Sequence, residues 1–186
     1  VAANKGDSSV SVMLGNGDGT FIGQVTYTVN TFPISVTTGD FNNDEVLDIA
    51  VANYLSNTVG ILLGDGNGVF NNQTSFPLVG NPVSMAIGDF NKDVTLDLVV
   101  TNTDRNSISV LIGDGNGTFS DIIVYSVGSS PSSVITYDFN NDSDLDIAVT
   151  NMEDNTVSLL FGNGKGAFGS RINYATGSTP TSLASG

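Results

Sequence analysis

Hydrophobic and polar residues alternate over short stretches of this chain, and no stretch of ten residues carries the apolar stripe of a helix. Within residues 40–88 the pattern predicts strands at 48–53, 58–63, 73–79 and 83–87. The first two are rich in β-branched residues, the third is more polar, and asparagine, serine and glycine lie between them. The pattern therefore predicts an all-β protein of short strands joined by tight turns.

The same pattern recurs with a fixed period of 49 residues. The string G-[ND]-G-x-G-x-F begins at Gly15, Gly64, Gly113 and Gly162, and the string D-F-N-x-D-x-x-x-D begins at Asp40, Asp89 and Asp138. Self-similarity at a constant period is typical of repeat architectures. Four strands in about 45 to 50 residues match one propeller blade. We therefore predict a β-propeller-like array of four-stranded antiparallel blades.

The period divides the chain into units of approximately 1–39, 40–88, 89–137 and 138–186. These units form either a single repeat domain or a segment of a longer array. In the first arrangement residues 182–185 supply the inner strand of the blade that begins with residues 1–4. In the second the piece belongs to a larger propeller, or to a fibre whose subunits complete each other head to tail.

Each D-F-N-x-D-x-x-x-D string forms a nine-residue segment that we call an acidic loop, with positions numbered from its first aspartate. Oxygen-bearing side chains recur at positions 1, 3, 5 and 9 of each acidic loop, and position 7 would contribute a backbone carbonyl. The proposed ligands are Asp40, Asn42, Asp44, Val46 and Asp48 in the first loop, Asp89, Asn91, Asp93, Thr95 and Asp97 in the second, and Asp138, Asn140, Asp142, Asp144 and Asp146 in the third. Alternating oxygen ligands suit Ca²⁺, which takes about six to eight oxygens. Carboxylates held about 4 Å apart repel by about 4 kcal/mol per pair at an effective dielectric of about 20, so a bound cation would offset a large cost. We therefore expect about three calcium sites.

Two other interpretations of these loops were weighed. Aspartate and asparagine are ordinary turn residues, so the loops could be polar turns without an ion. An EF-hand is excluded, because position 12 holds Val51, Val100 and Val149 where a bidentate glutamate is needed. The glycine-rich strings predict hairpin turns, since a phosphate-binding loop needs a following helix and usually a lysine.

Composition narrows the range of functions. The chain has 19 acidic and 5 basic residues, a formal net charge of -14, and no cysteine, histidine or tryptophan. Zinc sites of the usual kind and Ser–His or Cys–His nucleophiles are therefore excluded. So few basic residues argue against nucleic acid as a partner, and no apolar run is long enough for membrane insertion. We expect no enzyme activity, because the recurring carboxylates already have a proposed metal role.

The combination of D-F-N-x-D-x-x-L-D with A-V-x-N-x-x-x-N-[ST]-[VI]-x-x-L-x-G and G-[ND]-G-x-G-x-F resembles the FG-GAP or VCBS repeat of integrin-α-type β-propellers. The resemblance implies a calcium-binding loop between the first two strands of each blade. The chain departs from the family at position 3, which is asparagine instead of aspartate. It departs again at position 6, where Glu45, Val94 and Ser143 replace the usual glycine. These departures predict weaker sites, in the range of extracellular modules.

The function that we expect is a calcium-stabilised extracellular or cell-surface scaffold with a structural or adhesive role. It would be a filament subunit or part of a larger propeller, associating head to tail or with flanking repeats. The alternative is a carbohydrate-binding, lectin-like propeller with a glycan or cell-surface ligand. Asn72 and Asn116 lie in N-x-[ST] sequons and are candidate glycosylation sites.

Overall fold

The computed structural model describes residues 1–185 and is built from β-strands. The strands are β1 Ala2–Asn4, β2 Ser9–Val12, β3 Val25–Thr28, β4 Pro33–Gly39, β5 Asp48–Asn53, β6 Thr58–Leu62, β7 Thr74–Pro77, β8 Pro82–Gly88, β9 Asp97–Asn102, β10 Ser107–Gly113, β11 Phe119–Ser126, β12 Pro131–Tyr137, β13 Asp146–Asn151, β14 Thr156–Leu160 and β15 Ile172–Ala175. One 3₁₀ turn, Thr103–Arg105, lies between β9 and β10. Among the described residues no helix has the length and apolarity to cross a bilayer.

The strands form four antiparallel sheets in which neighbours along the chain are neighbours in the sheet. Sheet 1 contains β1–β3, sheet 2 contains β4–β7, sheet 3 contains β8–β11 and sheet 4 contains β12–β15. The prediction of an all-β chain with four-stranded antiparallel sheets is confirmed for sheets 2 to 4, whereas sheet 1 has three strands. Strand β5 occupies the residues predicted for it, and β6 ends one residue earlier than predicted.

The second strand of each complete sheet is buried along its whole length. Strands β5, β9 and β13 have the sequences DIAVAN, DLVVTN and DIAVTN, and every residue in them is buried. The fourth strands, β7, β11 and β15, are mostly exposed. Each sheet therefore has an apolar inner half and a solvated outer edge.

Apolar side chains fill the spaces between successive sheets. Val10 of sheet 1 and Ile49 of sheet 2 belong to one buried cluster, Ala50 and Leu98 of sheets 2 and 3 to a second, and Val99 and Ile147 of sheets 3 and 4 to a third. The first strands β4, β8 and β12 lie side by side. The sheets are thus stacked in chain order, with a separate core layer at each junction.

The sheets do not coincide with the units marked by the acidic loops. Strand β4 lies in the unit 1–39 but pairs with β5 of the unit 40–88. The same offset occurs at each later boundary, where β8 and β12 pair with β9 and β13. Each complete sheet therefore takes its first strand from one sequence unit and its other strands from the next. Backbone hydrogen bonds within the sheet thus join consecutive units.

The two ends of the stack have unpaired strand edges in the described part of the chain. Strand β1 pairs with β2 and with no strand on its other side. Residues 182–185 form no strand, so the arrangement in which they complete the sheet of residues 1–4 is not what the structure contains. The hydroxyl of Ser132 on β12 donates to the carbonyl oxygen of Pro180 at 3.0 Å. The segment after Pro180 therefore begins beside the first strand of sheet 4.

Aromatic residues at one repeat position connect neighbouring sheets. The ring of Tyr125 on β11 meets that of Phe168 edge to face, with centroids 5.7 Å apart, and the Phe168 amide donates to the Tyr125 hydroxyl oxygen at 3.1 Å. In sheet 1, Tyr27 donates its hydroxyl to the carbonyl oxygen of Gly68 at 3.0 Å. Phe76 at the same position of sheet 2 packs against Phe119 without a hydroxyl group. The ring is thus common to these junctions, and the hydroxyl adds a polar contact at two of them.

The acidic loops share an unusual backbone conformation. Position 6 has a positive φ in all three, with values of 64° at Glu45, 72° at Val94 and 70° at Ser143. This left-handed region is strained for β-branched residues and is usually taken by glycine. The loop therefore keeps the conformation that glycine favours although the chain has no glycine there.

Replacing Tyr125 by phenylalanine should lower the free energy of unfolding by about 1 kcal/mol, because the Phe168 amide loses its acceptor while the ring packing is kept. Chemical denaturation followed by circular dichroism measures the change. Tyr174→Phe is the control, since Tyr174 occupies the same repeat position and is 52% exposed. Equal losses in the two variants would contradict this account of the junction.

Replacing Val94 by glycine should raise the free energy of unfolding by about 1 kcal/mol, because relief of backbone strain exceeds the entropic cost of glycine. Val94 is 86% exposed, so little packing is lost. Val69→Gly is the comparison, since Val69 is also an exposed loop valine but has no positive φ. That variant should be destabilised, and a loss of stability in both would show that position 6 is not strained.

Candidate metal-binding loops

The three acidic loops occupy equivalent places in sheets 2, 3 and 4. Loop 1 (residues 40–48), loop 2 (89–97) and loop 3 (138–146) each connect the first strand of a sheet to the second. All three therefore lie at the same end of the strands, along one side of the stack. This is the placement that the family resemblance implied.

In each loop the side chains at positions 1, 3 and 5 hold a tight turn. In loop 2, Asp89 accepts hydrogen bonds from the amides of Asp93 (3.1 Å) and Val94 (2.9 Å). The Asn91 oxygen also accepts from the Asp93 amide, and its side-chain nitrogen donates to the Asp93 carboxylate at 2.7 Å. Asp93 in turn accepts from the Thr95 amide at 2.8 Å. Loops 1 and 3 repeat every one of these bonds.

The position-9 aspartate has a different environment. Asp97 is buried, and its two carboxylate oxygens accept from the amides of Phe90 (2.7 Å) and Gly113 (2.8 Å). Asp48 and Asp146 make the same pair of bonds in loops 1 and 3. This carboxylate therefore joins the start of the acidic loop to the end of the third strand, a structural role that the sequence did not reveal.

Burial makes the charged form of the position-9 carboxylates costly in loops 1 and 2. Burial raises the pKa of Asp97 to about 6, and the charges of Asp93 and Asp89 add to this effect, while the hydrogen bonds from Gly113 and Phe90 oppose it. Burial likewise raises the pKa of Asp48. A cation near these groups would favour their ionised form.

The position-7 residues vary in sequence because their side chains meet different neighbours. Thr95 lies within 3.4 Å of the Asn43 side-chain nitrogen of loop 1, which donates to its hydroxyl oxygen. Asp144 forms an ion pair with Lys92 of loop 2, and this contact raises the pKa of Lys92. Val46 lies beside the hairpin turn of its own sheet, near Gly66. Consecutive loops are therefore in direct contact, from position 4 of one to position 7 of the next.

The described residues contain no group of three or more acidic side chains close enough together to hold a metal ion. Positions 1 and 5 are instead linked through the position-3 asparagine and the backbone amides. Position 5 is exposed in every loop, whereas position 9 is buried against the third strand. The loops thus bring the predicted residues into one turn, with position 9 set apart by its own hydrogen bonds.

The glycine-rich hairpin turns cover the acidic loops of the preceding sheet. The amide of Gly117 in sheet 3 donates to the carbonyl oxygen of Phe41 in loop 1 at 2.9 Å, and Gly166 in sheet 4 donates to Phe90 in loop 2 at 2.8 Å. Phe168 packs edge to face on Phe90, with ring centroids 5.4 Å apart. The hairpin-turn prediction agrees with this geometry, but the contact of these turns with the acidic loops was not predicted.

The two candidate glycosylation residues lie in exposed turns. Asn72 follows the hairpin turn of sheet 2, and Asn116 lies in the hairpin turn of sheet 3. The side-chain oxygen of Asn116 accepts from the Thr118 amide at 3.1 Å. Modification of either residue stays a prediction.

Solved structures with the same fold are larger proteins. A functionally unknown protein from Desulfotomaculum acetoxidans DSM 771 matches with a TM-score of 0.66 and 17% identity, over 90% of this chain and 49% of that one. BBS1N in complex with ARL6DN matches with a TM-score of 0.63 and 16% identity, over 96% of this chain and 52% of that one. The chain thus spans about half the length of these two structures. At such identities the likeness concerns the fold alone, and no curated protein matches the chain.

The family model described as FG-GAP-like repeat matches residues 1–51, 40–100 and 89–149. Consecutive matches overlap in the acidic loops, and together they cover most of the sequence. They coincide with the loops and sheets that recur in the structure. By its sequence and by the recurrence of its loops, this chain belongs to the FG-GAP-like repeat family.

Proposed function

We propose that this chain is a calcium-stabilised repeat scaffold of propeller-type blades, with a structural or adhesive role outside the cell. The observation that carries the proposal is the triplicate acidic loop, which has the same hydrogen bonds and the same positive φ in sheets 2, 3 and 4. Membership of the FG-GAP-like repeat family supports it. Weak sites of this kind would fill where calcium is abundant, which favours an extracellular location.

The residues of each loop fit a hard cation in two respects. All their donors are oxygens, and the exposed position-5 carboxylate leaves a side open to solvent. Strain at position 6 persists only where the surroundings compensate it, and a bound ion would add to that compensation. Asp89, Asn91 and Asp93 would hold the ion in loop 2, with the Thr95 carbonyl and Asp97 completing the set. When bound, the ion would supply positive charge to the cluster and tie the loop to the second strand.

Both ends of the stack carry aromatic residues whose counterparts pack together at the internal junctions, and this supports assembly with further units. Phe119 and Phe168 pack on the phenylalanines of the preceding acidic loops, Phe41 and Phe90. Phe21, at the same repeat position in sheet 1, is 66% exposed. The matching surface on sheet 4 is formed by Phe139 of loop 3 and the exposed ring of Tyr174.

These two end surfaces carry the same residue positions that contact each other at the internal junctions, so they are complementary. A second copy placed head to tail would set its Phe21 against Phe139, as Phe168 sits on Phe90. The segment after Pro180 lies beside β12, where the next inner strand belongs, and the edge of β1 lacks such a strand. Strand addition between copies would supply the missing backbone hydrogen bonds. The scaffold would then extend as a filament or close as a larger propeller.

Replacing Asp93 by alanine should lower the melting temperature more in millimolar calcium than in excess EGTA, because the hydrogen bonds from Asn91 and Thr95 are lost in both buffers and the ion only in the first. Scanning calorimetry in the two buffers measures this. Bound ligand stabilises a fold by RT ln(1 + [L]/Kd), so a site with a Kd of about 0.1 to 1 mM contributes about 0.4 to 1.4 kcal/mol in about 1 mM calcium, and its loss should be visible.

Asp97→Ala is the comparison for the calcium test. It removes the acceptor of the Phe90 and Gly113 amides, so stability should fall in both buffers. If Asp93→Ala loses equal stability with and without calcium, or if calcium leaves the unsubstituted chain unchanged, the calcium proposal fails.

Replacing Phe21 by serine should weaken end-to-end association, because it removes the exposed ring from the sheet 1 end. Sedimentation velocity across micromolar to millimolar concentrations should reveal concentration-dependent assembly of the unsubstituted chain and less of it in the variant. Leu55→Ser is the control, since Leu55 is an exposed apolar residue in a turn away from this surface. A chain that stays monomeric at every concentration would overturn the association proposal and leave the calcium proposal standing.

A further inference from the structure

Two Asn-Gly pairs occupy the same repeat position in consecutive hairpin turns. Asn67-Gly68 and Asn116-Gly117 both follow Asp-Gly and lie 49 residues apart. Both asparagines are exposed, and both glycines have a φ of 83°. The amides of Asn67 and Asn116 each donate to the aspartate two residues earlier. The two turns therefore share one backbone conformation, and they differ at the next residue, where Thr118 donates to the Asn116 side-chain oxygen and Val69 has no hydroxyl.

The pairs differ in the acceptor available to the glycine amide. Gly117 is buried, and its amide donates to the Phe41 carbonyl oxygen of loop 1 at 2.9 Å. Gly68 is half-buried, and its amide donates to no group in residues 1–185. It borders a groove of about 370 Å³ whose walls include Leu14, Val46 and Phe70. Loop 1 holds the Gly117 amide, so of these two glycine amides only that of Gly68 can turn without breaking a hydrogen bond.

The freedom of this amide matters for a reaction of Asn-Gly sequences in water. The glycine nitrogen attacks the asparagine Cγ, a new C–N bond closes a five-membered succinimide, and the Cγ–Nδ2 bond breaks with release of ammonia. The proton lost by the glycine nitrogen passes to solvent and the leaving group is protonated. Water then opens the ring at either carbonyl, giving aspartate or isoaspartate. Glycine permits the reaction because it has no side chain to obstruct the ring closure.

We propose that Asn67 is a site of spontaneous deamidation in the folded protein and that Asn116 is protected. The Gly117 amide cannot turn toward its own asparagine without breaking the bond to Phe41. Breaking one such hydrogen bond slows the reaction by about fivefold or more. Deamidation of Asn67 adds a carboxylate to a turn that already carries Asp65, in a chain with a formal net charge of -14. The turn of sheet 2 would therefore gain negative charge with time, while the matching turn of sheet 3 would keep its amide.

The test is an incubation of the chain, produced in bacteria so that Asn116 is unglycosylated, at neutral pH and warm but native conditions. Peptide mapping by mass spectrometry measures the loss of each amide over time, and isoaspartate methylation confirms the product. Asn67 should convert at least about fivefold faster than Asn116. In unfolding concentrations of urea the two rates should become similar, because the Phe41 acceptor is then removed.

The variant Val69→Thr makes the two turns identical from the aspartate to the threonine, and the native rate difference should persist in it. Val69 is exposed, so this change is not expected to disturb the fold. Asn67→Ser should abolish conversion in the peptide that contains this turn and leave the conversion of Asn116 unchanged. Equal native rates, a faster Asn116, or no native conversion at Asn67 when the urea-unfolded chain does convert would each overturn the proposal.

Discussion

The organisation of this protein depends on one buried carboxylate in each complete sheet. Asp48, Asp97 and Asp146 are fully buried, and each accepts amides from two segments that are distant in sequence. An unpaired buried carboxylate is costly, so these bonds determine where the acidic loop starts and where the third strand ends. They place the loop at the rim of the sheet, with position 5 exposed and positions 1 and 3 mostly half-buried. The candidate metal chemistry therefore rests on a residue whose first task is structural.

A second layer of contacts joins the sheets through those same loops. The hairpin glycines of sheets 3 and 4 donate to the loop phenylalanine carbonyls of sheets 2 and 3, and phenylalanine rings pack beside these bonds. Contacts of this kind reach only the nearest neighbour, as in other repeat proteins, so stability is approximately a sum over units and junctions. Calcium in a loop would stabilise its own sheet directly and the next junction through Phe41 or Phe90.

The strands and loops could be predicted because their signals are local. Buried runs such as residues 48–53 and the spacing of the acidic positions are visible in one unit, and the repeat confirms them. The contacts between units were not predictable in the same way. Nothing in the sequence links Lys92 to Asp144 or Gly117 to Phe41, since each pair is brought together only by stacking of the sheets. The structural role of Asp97 could not be predicted either. An aspartate at position 9 is expected both for a metal ligand and for a buried carboxylate that accepts backbone amides.

Because the repeat units are so similar, a sheet could in principle dock beside the wrong neighbour during folding. The side chains at positions 4 and 7 of the loops differ at each junction. Asn43 meets Thr95 at one, and Lys92 meets Asp144 at the next. If sheet 3 docked ahead of sheet 2, Lys92 would meet Val46 and lose the carboxylate with which it pairs in the native order. These contacts thus differ from one junction to the next and disfavour stacking of the sheets in the wrong order.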